Sequence, residues 1–215
     1  MQITFIRHAE TTGNVAHVWQ GHGDSPLTER GRLQARALGT RPSLAGFDRV
    51  IASDLGRVVE TARLAGLDPE PDPAWREIDL GRWEGLTSEQ IQERYPEDLE
   101  RLRAGEDLAL LGGETSSELA ARIDTAITAA RDQAAGGDHV AVLTHGGVIQ
   151  TLVARHLGLE GRPRPSVFDR IANTAMTTME YGESDPVLRV FNDASHDPTQ
   201  LHPDGASVVA LIRHG

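Results

Sequence analysis

Residues 3–14 read ITFIRHAETTGN. Ile3, Phe5 and Ile6 make a short apolar run of strand type, and the polar, Gly-containing segment after Glu10 reads as the loop that leaves the strand. Open parallel sheets bind ligands in the crevice beyond the carboxyl ends of their strands, so Arg7 and His8 fall where chemistry is expected. An imidazole beside a fixed cation suits attack on a phosphoryl group, whose own oxygens repel ordinary nucleophiles. An isolated Arg-His pair can equally well just end a surface strand, so the rest of the chain has to decide.

Two further strand-to-helix junctions tip that balance. Asp48 to Ala52 reads as a short strand, followed by Ser53 and Asp54 as cap-type residues and a helix through VVETARLAG that carries Arg57 on its first turns. Amides and the helix dipole favour an anion there. The clearest junction is HVAVLTHGG at 139–147, where Val140–Leu143 form a buried-type strand and His145-Gly146-Gly147 opens a helix through VIQTLVARHLG. Gly146 allows close backbone approach, and the helix start supplies oriented amides. Two histidines and two arginines at successive carboxyl edges share one explanation.

Composition narrows the chemistry. The chain has 215 residues and a mass of 23.3 kDa, enough for one well-buried core and short for two, so a single domain spanning 1–215 is expected. A net charge of -11 and a pI near 5.2 argue against a general nucleic-acid or acidic-membrane binder. With no cysteine, disulfides, thiolate catalysis and zinc–thiolate sites are excluded together. All 21 basic residues are arginine, which excludes a P-loop lysine and a Schiff-base lysine. The N-terminus has no basic leader followed by an apolar run, and no stretch approaches membrane-span length, so a cytoplasmic protein is expected.

The remaining segments read as follows. Gly21, Gly23, Asp24, Ser25 and Pro26 make a loop, and Thr28 caps a helix with Leu33, Ala37 and Leu38 on one face. After the Pro-rich LDPEPDPAW comes REIDLGRWEG at 76–85, a turn-like stretch in which Glu77 offers a carboxylate and Glu84 has nearly the same local claim. Residues 87–115 look like a helical cap excursion over the sheet edge, capped at Ser88 and broken at Pro96, with a charge run that reads as a solvated face. Thr115 and Glu118 have capping-box spacing ahead of a long helix with Leu119, Ile123 and Ile127 on one face, ended by Gly136-Gly137. Pro163 and Pro165 break the chain before TAMTTMEY and PVLRVFND, two final strands at the sheet edge. The tail, 194–215, ends in SVVALIRHG, an echo of FIRHA that stops before any loop could complete a phosphate cradle.

Taken in order, these residues carry a resemblance. Arg7-His8-Ala9-Glu10-Thr11 with Asn14, Gln20-Gly21, Pro26-Leu27-Thr28, Ser53-Asp54-Leu55 with Arg57, Glu60-Thr61, Glu77 before Gly81 and Trp83-Glu84-Gly85, Gly112-Gly113-Glu114, and Thr144-His145-Gly146-Gly147 resemble the histidine phosphatase superfamily, in its phosphoglycerate-mutase-like branch. The motifs are short one by one, but their ordered set, over roughly residues 1–193, is specific. The resemblance implies an α/β fold, a three-layer α/β/α arrangement with a central mostly parallel sheet and a small helical cap. It also implies a phosphohistidine intermediate on His8, with Arg7, Arg57 and His145 holding the phosphoryl oxygens, Asn14 and the Gly146 amide adding hydrogen bonds, and Gln20-Gly21 contributing to the substrate side. Glu77 would protonate the leaving oxygen and then act as base on water.

Elementary chemistry adds that an attacking His8 must be neutral at its reacting nitrogen, whereas His145 is more useful charged, so the two titrations should be pushed apart. Ala9 stands where the family commonly has Gly. The stretch between Glu77 and Gly113 is short beside the insert expected of true mutases, which favours hydrolysis. The expectation is therefore a phosphomonoesterase for a small phosphorylated metabolite, needing no metal and no cofactor. Sugar phosphates, phosphoglycerate derivatives and α-ribazole phosphate are all implied as substrates. The alternatives are a phosphoglycerate-type mutase, a metal-dependent hydrolase and a non-catalytic phosphate-binding module. The edge strand near 187–193 and the tail could support a homodimer.

Overall fold

The computed structural model describes residues 1–109, 112–134, 138–159 and 170–197. Its elements, in chain order, are β1 (Gln2–Arg7), α1 (Thr12–Val15), α2 (Glu29–Leu38), β2 (Arg49–Ala52), α3 (Gly56–Leu64), β3 (Glu70–Pro71), α4 (Ser88–Arg94), α5 (Pro96–Arg103), α6 (Ser116–Asp132), β4 (His139–Thr144), α7 (Gly146–His156), β5 (Met176–Glu180) and β6 (Val187–Asp193). The six strands form one sheet in the order β3-β2-β4-β1-β5-β6. Strands β3, β2, β4 and β1 run parallel, and β5 and β6 are added antiparallel. This is the mixed, mostly parallel sheet flanked by helices that the sequence implies.

The sheet is central because its middle strands are apolar on both faces, as parallel strands covered on two sides must be. Ile3, Phe5, Val140 and Val142 pack against Leu119, Ile123 and Ile127 of α6 and against Val148, Ile149, Leu152 and Val153 of α7. Ile6, Ala52, Ala141 and Leu143 face the other way, onto Leu38 of α2 and Val58 and Ala62 of α3. A third cluster, built on Leu80, Trp83, Ile91 and Leu99 with Trp19 and Tyr95 beside it, holds α4 and α5 to the 80–86 segment.

Several local expectations shift. The buried face of α2 is Gly31, Gln34, Ala35 and Leu38, and Leu33 is 63% exposed. Gln34 is inside because its amide is satisfied, accepting from the Glu10 N–H and donating to Asp197. Thr87, not Ser88, caps α4, in a capping box with Gln90. The Pro-rich segment contributes β3, a two-residue strand at the sheet margin, where Pro71 costs no central ladder bond. Helix α6 ends at Asp132, and Gly136-Gly137, Pro163, Pro165 and the SVVALIRHG echo lie outside the described residues. Among the described residues, no helix is long and apolar enough to cross a membrane.

Candidate active site

The register of the two central strands brings the histidines together. Arg7 pairs with Thr144, and Ile6 with Leu143, so His8 and His145 are the next residues of adjacent parallel strands. The His8 N–H donates to Thr144 O at 2.9 Å, and the two imidazoles meet edge to face with centroids 5.3 Å apart. On the far side of β4, the Ser53 N–H donates to Leu143 O, which sets Ser53 beside His145.

Hydrogen bonds fix the tautomer of each ring. His8 Nδ1 lies 2.7 Å from Ala9 O, an atom that can only accept, so Nδ1 carries the proton and the lone pair is on Nε2. Burial first, then the nearby Arg7 and Arg57 charges, push the His8 pKa well below its ordinary 6.5. His8 is therefore neutral with a free Nε2. At His145, Nδ1 accepts from Arg57 Nη2 at 3.2 Å, so Nε2 carries the proton and donates to Ser53 Oγ at 2.9 Å. Burial first, then the Arg57 and Arg7 guanidinium charges, push this pKa well below 6.5 too. The expectation of a charged His145 fails here, because the guanidinium at Nδ1 has only donors to give. The fixed positive charge comes from the arginines. Ser53 and Asp54 do not cap α3 with their side chains, since its N-cap is Leu55; Ser53 serves His145, and Asp54 is gripped by Arg76.

Arg57 is 2% exposed and spends most of its donors on the loop before α2. Nη1 donates to Gly23 O at 2.7 Å and Asp24 Oδ1 at 3.1 Å, and Nη2 to Gly21 O at 2.9 Å. Arg7 Nη1 donates to Ile171 O. Burial pulls the Arg7 pKa down to about 10, which leaves the guanidinium charged at neutral pH. The Nε atoms of both arginines are buried and have no hydrogen-bond partner among the described residues. Two buried cationic N–H donors beside a neutral imidazole make a site suited to an anion with several oxygens.

Glu77 is held at the start of α7. Its Oε2 accepts from the Gly147 N–H at 3.0 Å, near the start of α7, and its Oε1 from the Ile78 N–H at 3.0 Å. The two glycines at that helix start have separate reasons. A Cβ on Gly146 would lie 3.3 Å from Arg7 Nε, and one on Gly147 would lie 2.3 Å from Glu77 Oε1. The Gly-Gly pair thus lets the guanidinium approach on one side and the carboxylate on the other. Glu84, the rival carboxylate, is engaged elsewhere: its Oε1 accepts from the His22 N–H at 2.5 Å and packs under Gly21, whose φ is +52°.

The structure brings Arg7, His8, Arg57, Glu77, His145 and Gly146 to one end of the sheet. Gly21 lines this region through its carbonyl, held by Arg57. Gln20 is tied instead to Ser25 and Thr11, and Asn14 Oδ1 accepts from the Thr11 N–H and from Asn173 Nδ2. Both therefore brace the loop after β1 through the contacts they make. Residues that the sequence did not single out include His22, whose Nε2 donates to Glu77 O, Asp24, which pins Arg57, and Asn173, which donates to His8 O. His22 and Asp24 adjoin Gln20-Gly21 in sequence, a usable signal. Asn173 is 165 residues from His8, with no local signature. Among the described residues, no three His, Cys, Asp or Glu gather as a metal-ligand group.

The sequence and the fold have counterparts among known proteins. A probable phosphoglycerate mutase GpmB of Enterobacter sp. (strain 638) is 33% identical over 193 residues, covering 86% of this chain and 86% of its own. Among solved structures, Bacillus stearothermophilus YhfR matches with a TM-score of 0.84 at 30% identity, covering 91% of this chain and 98% of its own. A mycobacterial glucosyl-3-phosphoglycerate phosphatase in complex with VO3 matches with a TM-score of 0.78 at 29% identity, covering 89% and 98%. The family model for the histidine phosphatase superfamily (branch 1) matches residues 3–194, and the chain belongs to that superfamily.

Proposed function

We propose that this enzyme hydrolyses a small phosphomonoester through a phosphohistidine on His8. The observation that carries the reading is the His8 tautomer: Nδ1 is committed to Ala9 O and the ring is neutral, so Nε2 offers a lone pair beside two buried guanidinium groups. Nε2 attacks phosphorus while the bond to the leaving oxygen breaks. Arg7 and Arg57 offset the charge on the non-bridging oxygens, and a protonated Glu77 gives its proton to the departing alkoxide. Water then attacks the phosphorus of the phosphohistidine, Glu77 takes a proton from it, and inorganic phosphate and free His8 result. His145, neutral and held between Arg57 and Ser53, orients Arg57 and walls the site.

Membership of the superfamily supports phosphatase or phosphoglycerate-mutase-like action on a small phosphorylated substrate. Hydrolysis is the finer reading, favoured by the short stretch from Glu77 to Gly113, which gives little cover to keep water from an intermediate. Mutase activity is the second reading, favoured by the name of the GpmB relative. The experiment is inorganic phosphate release from a panel of small phosphomonoesters with chelator present, alongside a phosphoglycerate isomerisation assay and a His8→Ala control. Chelator-insensitive release lost in His8→Ala is the expected outcome. Isomerisation without release would replace hydrolysis by the mutase reading, and activity that chelator abolishes would overturn the metal-free mechanism.

A further inference from the structure

Glu77 is carried by a segment that secondary structure does not hold. Between Asp72 and Gly85 the regular pieces are single 3-10 turns at Pro73–Trp75 and Gly81–Trp83. Besides His22, whose Nε2 donates to Glu77 O, what holds it is Arg122, on α6. Its Nη1 donates to Ala74 O at 2.8 Å and Arg76 O at 3.0 Å, and its Nη2 to Glu77 O at 3.2 Å. Nε and the remaining Nη2 hydrogen go to Glu114, at 2.8 and 2.7 Å. All five guanidinium hydrogens are thus spent, three of them on carbonyls that end at Glu77 itself. Glu114 continues the grip past Glu77: its N–H donates to Asp79 O at 2.9 Å, and its Oε2 accepts from the Asp79 N–H at 3.4 Å. Arg122 sits between Leu119 and Ile123, which anchor α6 in the core against the sheet. Among the described residues, none of the hydrogen bonds of Arg7, His8, Arg57 or His145 involves either residue.

We propose that Arg122 and Glu114 are positioning residues for Glu77, fixing its main chain to the core so that the carboxyl meets the leaving oxygen at the right place. The Gly112-Gly113-Glu114 motif thereby acquires a purpose, since Glu114 presents the fork of Arg122 to the 74–77 carbonyls. The inference rests on the reading of Glu77 as general acid, and it makes that acid's efficiency depend on a pair whose donors are turned wholly toward protein. A lysine at 122 has three donors and no planar fork, so it cannot serve three carbonyls and Glu114 together.

The test compares phenyl phosphate with 4-nitrophenyl phosphate, esters of similar shape whose leaving groups differ in their need for a proton, using kcat/KM, which reports the first chemical step. In Arg122→Lys and Glu114→Gln, phenyl phosphate hydrolysis is expected to fall on the order of tenfold to a hundredfold, and 4-nitrophenyl phosphate hydrolysis less than about threefold. Inhibition by vanadate should be unchanged, which also shows that the variants fold. Placed on Glu77→Gln, Arg122→Lys should add no further leaving-group selectivity. Equal loss on both esters, or no loss on either, overturns the positioning role while Glu77→Gln remains selective. A Glu77→Gln enzyme without selectivity overturns the acid reading itself, and the positioning role with it.

Discussion

His8 and His145 leave neighbouring parallel strands at matched positions and are held by main-chain bonds of the sheet, whereas Glu77 sits in an irregular segment held by side chains from distant parts of the chain. Arg122 on α6 and His22 in the loop before α2 both donate to Glu77 O, and Arg76 next door forks onto Asp54 at 2.6 and 2.5 Å. The nucleophile side inherits its geometry from the sheet register, which cannot slip without turning buried faces outward. The acid side has no such lock. Damage on the two sides should therefore look different: loss on the phosphate side should strike all substrates alike, and loss on the acid side should strike poor leaving groups.

The largest expected effect that sharpens this contrast is Arg57→Ala. It removes a buried cation, with its hold on Gly21, Gly23 and His145, and kcat/KM should fall by about 10^3-fold for phenyl and 4-nitrophenyl phosphate alike. A loss confined to phenyl phosphate would break the division. Next is Gly147→Ala, whose new methyl would lie 2.3 Å from Glu77 Oε1 and must displace the carboxylate. Activity on phenyl phosphate should drop on the order of tenfold to a hundredfold with the fold intact, and 4-nitrophenyl phosphate should be nearly spared.

A smaller effect concerns pH. Both buried histidines have pKa values pushed below 6.5, so the unfolded chain takes up these protons first as pH falls. Their contribution to stability is complete above 6.5 and erodes below it, toward the depressed folded values. Melting temperature should decline more steeply between pH 6.5 and 5 in the wild type than in a His8→Asn, His145→Gln variant. The acid limb of kcat/KM assigned to His8 should likewise lie below 6.5. Parallel melting curves would show that the two rings are not held neutral. The smallest effect is Ala9→Gly. Ala9 is buried against Leu27 and Ala35 and has no positive φ, so introducing glycine costs about 1 kcal/mol in thermal unfolding and leaves kcat/KM unchanged.

The same division explains what the sequence could tell. β1, β2 and β4, each followed by a loop or helix start, were legible because apolar runs and glycines are local signals, and with them came Arg7, His8, Arg57 and His145. Strands β5 and β6 were legible for the same reason. The buried face of α2 was not, because Gln34 goes inside for partners at Glu10 and Asp197, the latter 163 residues away. Gln20 and Asn14, expected on the substrate side, were not legible as braces, since their partners become visible only when the loop closes on Thr11, Ser25 and Asn173. Arg122, 45 residues from Glu77, looks like one more charged helix position until the fold brings three carbonyls to it.

The most direct measurement is to mix enzyme with phosphorus-labelled 4-nitrophenyl phosphate, quench within a turnover and map the label. Acid-labile, alkali-stable label on the peptide containing His8, formed and lost at rates that match turnover, is the expected result. Turnover with no label on the protein, or with label on any residue other than His8, would contradict the account.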